Sequence, residues 1–465
     1  MSNRDALRLG VLAAMVCVST ATAQIVLYTV DVGDSPNALA VDTIDHTVYV
    51  SCEGCDSVYV LDATARSPEE AVVARLRVGD YPVDVAWNPV DNTMWVVNKE
   101  INSPTGSVTV IDAGNDSVIA TVGVGAAPTR AVWTSAGNKL YTLEYQTVTA
   151  VDCSTNLVVG TIEIPDRRWG FTDMVYHPST DRLYLVTKSL GQLGELHVVD
   201  CTIDQIVRTV GLAFGPVKIC YAPSENRMFA VCNRGYMNVI DCATDSVIGW
   251  VQIEEDPAAV IWSTSPVNRI WVACGWGHAV QYMRADLLEL EGCVETPGMN
   301  PGALLYNPNT TEVFAVSELT HQIIVIDARI PRIVDTLDLA PLSHGPHALA
   351  LYQRLNRVYV ANYWDRDPGT VTVLTDFVGI DDSPGRRSLL PSQAVPNPVG
   401  PGSRVVLQAS GFEPMRATLV DVTGRAVYES GLGQDGGMIA PEEPGVYFYT
   451  VTDGRSTSSG KLTVR

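Results

Sequence analysis

Nowhere does the chain approach the ~20 continuous apolar residues that a membrane-spanning helix requires. Basic residues are also scarce: 31 Lys and Arg stand against 52 Asp and Glu, a formal charge of -21. A polyanion of that size is repelled by phosphate backbones and anionic lipid surfaces, which argues against nucleic-acid and membrane roles. There is no nucleophile elbow, no Gly-rich phosphate loop and no HExxH, so no enzyme signature emerges. A second C-x-x-C to accompany Cys52 and Cys55 is missing too, which weakens a zinc reading. Those two cysteines are left to pair across a tight hairpin or to bind metal.

What is present begins with a secretory leader in residues 1–23. Arg4 and Arg8 form its positive end, residues 9–19 its apolar stretch, and Ala21-Thr22-Ala23 a small-x-small cleavage site. The context of Cys17 is poor for a lipoprotein, so cleavage before Gln24 is expected and the mature chain is read as exported and soluble. Of its cysteines, Cys153, Cys201 and Cys242 share one repeat position where sister repeats carry Ala113 and Ala328. That pattern is a small-residue requirement and not a ligand set.

The repeat organises the rest. Prolines 36, 82, 128, 216, 257, 301 and 346 recur at intervals in the forties, with Thr172 standing at the place of a missing one, which makes eight units. Each unit reads as four short strands. The first follows the proline (NALAV, VDVAW), the second bears an aromatic (TVYVS, MWVVN), the third ends in aspartate (VYVLD, VTVID), and the fourth resembles SVIATV. The repeated aspartates (Asp62, Asp112, Asp152, Asp200, Asp241, Asp327) sit where the chain must turn, where a carboxylate can accept from backbone N–H groups two residues on. Units of this length with four strands are the signature of a β-propeller. The run Pro-x-x-apolar, then "YVAN" at 359–362, "VTVID" and "VIATV" resembles the YVTN family of β-propeller repeats over nearly all of residues 25–376. The fold class expected is all-β: an eight-bladed propeller, with the family's common seven as the alternative.

The eighth unit supplies only three strands before running into "TDFVGIDDSPGRRSLLPSQ", whereas residues 25–33 are a fourth strand with no preceding three. Sliding the N-terminal strand beside 371–374 completes blade eight and closes the circle. Domains follow as leader 1–23, propeller 24–376, linker 377–392 and a small β-sandwich, 393–465. The tail resembles the C-terminal sorting domain of type IX secretion substrates in Pro396-Asn397-Pro398, the 421–425 turn, Gly445, Tyr447, Gly460 and Lys461. That resemblance implies delivery through the outer membrane by the secretion machinery. A flagellar-hook-type Ig-like module looks similar, and a merely stabilising accessory domain is the other reading.

Propeller topology places the loops joining fourth to first strands on the same face as those joining second to third. Six tryptophans occupy repeat positions and are expected to pack: Trp87, Trp133, Trp262, Trp95, Trp271 and Trp250. Trp169, Trp276 and Trp364 are off-pattern and fall on loops of that one face, with Tyr81, Tyr145 and Tyr363. Flat aromatics on rigid loops suit a glycan, peptide or protein ligand; the alternative is that they pack onto their own loops. Two residues after the prolines, Asp84, Arg130, Asp173 and Lys218 are expected to line the channel as ion pairs or to hold a polar ligand. His278, His321, His344 and His347 with Asp365 and Asp367 are weak metal candidates, since their spacing matches no ligand motif. No cofactor is expected. The reading favoured is a monomeric, secreted or cell-surface bacterial protein that binds a ligand without catalysis. The runner-up is a lactonase-like or metal-dependent hydrolase at the channel mouth.

Overall fold

The computed structural model describes residues 24–163, 170–188, 193–212, 215–264, 266–296, 298–340, 343–364, 368–376, 392–395, 401–409, 416–420, 426–431, 437–443, 445–452 and 457–464. Residues 24–376 form one compact unit of eight four-stranded antiparallel sheets arranged as the blades of a propeller. Blade 1 contains Pro36–Asp42, Thr47–Cys52, Ser57–Asp62 and Val72–Arg77. The unit without its proline still builds a full blade, its inner strand running Phe171–His177.

Burial explains the strand vocabulary. Second strands such as Thr93–Asn98 are buried at every position, because neighbouring blades cover both faces of each sheet. Sheets covered on both faces need near-continuous apolar runs. Tyr49, Val58 and Val60 of blade 1 thus share a core with Val85, Met94, Val96 and Ile111 of blade 2. Outer strands lack that cover on their outward side, and Val118, Ile119 and Val207 are exposed there. Trp250 is the correction this imposes: read as a packing residue, it lies on an outer strand, 59% exposed, with only the Tyr236 ring set edge-on 5.4 Å away.

All six repeated aspartates cap their turns. Each accepts from the N–H two residues on: Asp62 from Thr64 at 2.7 Å, Asp112 from Gly114 at 2.9 Å, Asp152 from Ser154 at 2.8 Å, and Asp200, Asp241 and Asp327 likewise at 2.9 Å. The following residue is small and buried each time, which accounts for Cys153, Cys201 and Cys242. The recurring proline also has a partner. At Gly106, Gly194 and Gly369, a Cβ would lie 2.2, 2.0 and 2.7 Å from the Cδ of Pro128, Pro216 and Pro36 of the next blade. Only glycine permits that approach.

Closure occurs where the two ends meet. Gln24–Val32 pairs antiparallel with Gly369–Asp376, setting Thr29 opposite Thr372 and Val30 opposite Val371. Tyr28, Val30 and Val32 bury themselves against Tyr359 and Val373 of blade 8 and Val48 and Val50 of blade 1. Gln24 anchors the strand's start, its Nε2 donating to Glu312 Oε2 at 3.1 Å. Arg357 reaches from blade 8 to the Ala63 and Ala65 carbonyls of blade 1, both at 2.7 Å.

The C-terminal unit is a small sandwich. One sheet contains Ser392–Val395, Arg404–Ala409 and Gly437–Ile439; the other contains Arg416–Val420, Ala426–Gly431, Gly445–Thr452 and Thr457–Val464. They enclose Val405, Leu407, Leu419, Tyr449 and Leu462. The 1–23 leader, the linker residues 377–391, Pro396-Asn397-Pro398 and the 421–425 turn lie outside the described residues.

Candidate functional site

The face carrying the proline-side loops holds four exposed aromatics: Trp276 at 78%, Tyr145 at 57%, Trp364 at 42% and Tyr81 at 36%. Trp169 lies outside the described residues. Each of the four stands on a short loop with pinned ends. Trp276 tips a tight turn flanked by Gly275 and Gly277, and the His278 imidazole Nδ1 bonds the Met299 carbonyl. Tyr81 occupies the position before an anchor proline, which the repeat holds in the left-handed region: φ is 55° at Ser35, 61° at Tyr81, 49° at Ala127, 56° at Asp256 and 65° at Gly345. Small or polar residues serve there in the sister blades. A bulky aromatic is a costly choice at positive φ, about 1 kcal/mol.

Blades 7 and 8 gather the histidines unevenly. His321 accepts from the Gly345 N–H at 3.0 Å, and its ring meets His344 edge-on at 4.9 Å and Trp364 at 5.7 Å. Gly345 lies so close beneath Trp364 that a Cβ would fall 2.6 Å from its Cγ. His347 Nδ1 stands 2.5 Å from Glu318 Oε1, and its ring is 5.3 Å from that of half-buried Tyr363. His278 belongs to a different loop. Asp365 and Asp367 lie outside the described residues, and among the described residues no three His, Cys, Asp or Glu side chains gather as a cation site would need.

The first strands of the eight blades stand side by side around the ring. Asp84, Arg130, Asp173 and Lys218 occupy one register position in blades 2 to 5, and Ala38, Ala259, Ala303 and Ala348 occupy it in the other four. Half the circle is therefore charged with alternating sign and half is apolar. Arg130 Nη1 lies 2.6 Å from Asp173 Oδ1. The carboxylates also tie blades together: Ala131 N–H donates to Asp84 Oδ2 at 2.8 Å and Ile219 N–H to Asp173 Oδ2 at 3.0 Å. Desolvation pushes the Asp84 carboxyl above its ordinary range, with Arg130 and the backbone donors opposing.

Tyr145 also borders a groove that the sequence does not announce. A groove of about 450 Å³ opens between the outer parts of blades 2 and 3, lined by Gly123, Gly125, Tyr145, Gln146, Thr147 and Thr161 among others. Behind it Glu144 is buried, accepting from Thr142 Oγ1 at 2.5 Å and Thr147 Oγ1 at 2.9 Å. Burial raises this carboxyl to about 7 even though three threonine hydroxyls pull the other way. The available signal was alignment: Glu144 stands where blades 2 and 8 carry Asn98 and Asn362, whose amides donate to hydroxyls of the third strand.

No protein-family model matches the chain, and no curated protein matches it. Among solved structures it is similar to the computationally designed Ika8 protein, at 15% identity and TM-score 0.60, covering 75% of this chain and 99% of that one. It is also similar to the C-terminal WD40 domain of Sif2, at 10% identity and TM-score 0.62, covering 76% and 98%. At such low identity these likenesses establish the β-propeller fold alone.

Proposed function

We propose that the protein is an exported, non-enzymatic YVTN-type propeller that binds an extracellular glycan, peptide or protein on the aromatic face. The observation that carries this reading is the set of four exposed rings, Trp276, Tyr145, Trp364 and Tyr81, on short pinned loops of one face. Rigid aromatics bury contact area at low entropic cost, and such residues dominate binding energy. The half-charged, half-alanine channel mouth beneath them suits a ligand with one polar and one apolar side. The C-terminal sandwich is assigned the sorting role, with the leader and tail together delivering the propeller to the cell surface.

A hydrolase at the channel mouth is less well supported by the geometry. Its acids would be Asp84 and Asp173, and both accept backbone N–H bonds from the next blade while Asp173 is paired with Arg130. The test is a glycan and peptide array probed with the wild type and with Trp276→Ala and Trp364→Ala. Loss of a central aromatic anchor should weaken binding at least tenfold, about 1.4 kcal/mol or more. Equal binding by wild type and variants, or no binding at all, would remove the assignment.

A further inference from the structure

The turn joining the second and third strands of blade 1 is Cys52-Glu53-Gly54-Cys55. A single 3₁₀ turn, Glu53–Cys55, folds the chain back, and Asp56 at φ 50° leads into the next strand. This sets both cysteines on one turn, with the Cys55 thiol donating to the Cys52 carbonyl and the Cys52 thiol to the Val50 carbonyl, each at 3.8 Å. The turn also grips the segment just after the closing strand: Glu53 N–H donates to Ser35 O at 3.0 Å and Gly54 N–H to Asp34 O at 3.1 Å. Gly33 lies against both cysteines; a Cβ there would fall 2.3 Å from Cys55 Sγ and 2.9 Å from Cys52 Cβ.

The two sulfurs have opposite surroundings. Cys52 is fully buried at the end of its strand, whereas Cys55 is half-buried on the aromatic face. Beside Cys55 stand the Ser57 hydroxyl, which donates to the Cys55 carbonyl at 2.8 Å, and the Arg75 cation, whose Nε donates to Ser57 Oγ at 3.4 Å. Among the described residues no third His, Cys, Asp or Glu joins the pair, and a closed structural metal site needs four ligands.

We propose that Cys52 and Cys55 form a dithiol–disulfide exchange site, with Cys55 the attacking sulfur, Cys52 the resolving one, and a small aliphatic disulfide such as oxidised glutathione the oxidant. The Cys55 thiolate attacks one sulfur of the disulfide, forming a mixed disulfide and expelling a thiolate that takes a proton from solvent. Cys52 then gives its proton to solvent and attacks Cys55 Sγ, and the second thiolate leaves. Counted from the Cys55 thiolate, the protein loses two electrons and one proton, and the two leaving thiolates take two protons from solvent to become two thiols. The electrostatics agree with these roles. The adjacent Cys52 thiol, aided by the Arg75 cation, lowers Cys55 to about 6 against the opposing effect of burial, while burial raises Cys52 well above the usual thiol range.

The experiment uses the reduced full chain at neutral pH. Cys293, the exposed cysteine, serves as internal reference. Despite lower exposure, Cys55 should react with limiting iodoacetamide on the order of tenfold faster than Cys293. With oxidised glutathione, peptide mapping should find a mass loss of about 2 Da confined to the segment holding Cys52 and Cys55. Cys52→Ser, which places there the residue found at the matching position of blade 7 (Ser317), should keep the fast alkylation and stop at a stable glutathione adduct on Cys55. Cys55→Ser should show neither the adduct nor the loss of mass. Alkylation of Cys55 no faster than Cys293, an unoxidised pair, or oxidation at Cys293 alone would overturn the proposal.

Discussion

Glu144 directly follows its strand, where two other blades place asparagine, and its burial makes its proton part of the folding equilibrium. Its ordinary value is 4.5 and the folded chain raises it to about 7. The folded state therefore binds the proton more tightly than the unfolded state. Stabilisation from this group is complete below about 4.5, falls as pH rises, and is gone above about 7. The difference amounts to on the order of 3 kcal/mol. Glu144→Gln mimics the neutral acid, so its melting temperature should gain on the wild type by roughly 4 °C between about pH 5 and about pH 8. Thermal melts across that interval check it, and parallel curves would show that the carboxyl is not held protonated. Nothing in "LYTLE" announces this, because desolvation comes from the groove wall and from Gly125 of the preceding loop, not from the strand itself.

At the level of the strand, Gln24–Val32 is the element on which closure rests. It buries Tyr28, Val30 and Val32, together about 5 kcal/mol by area, besides completing the hydrogen-bond ladder of blade 8. Deleting residues 24–34 should lower the melting midpoint by about 10 °C or more, measured by circular dichroism. An unchanged melt would mean that the remaining three strands of blade 8 suffice. This pairing was legible beforehand because strand identity is a local property: pleat alternation and turn chemistry mark a fourth strand without its three, and three without their fourth. The exposure of Trp250 was not legible. Its spacing matches a packed repeat position, and only its place on an outer strand, with no sheet beyond, leaves it in solvent.

For the molecule as a whole, the propeller encloses its own cores, and the inter-blade ties run unbroken around it, blade 8 to blade 1 included. A chain ending at Asp376 should therefore keep the propeller's melting transition within a few degrees. A large drop in the melt of that truncated chain would show that the C-terminal unit supports the propeller. The charged half of the channel mouth is also a property of this scale. Asp84, Arg130, Asp173 and Lys218 are 43–46 residues apart in sequence, and closure sets them side by side.

Local chemistry written along the chain was enough to determine eight four-stranded units, the capped aspartate turns, the small residues behind them and the meeting of the two ends, since each depends on neighbours a few residues away or on a simple count of strands. Which acid is buried and which aromatic faces water were decided only by assembly. Solvation at a side chain comes from the strands and loops packed around it, and those neighbours are not in place until the chain folds.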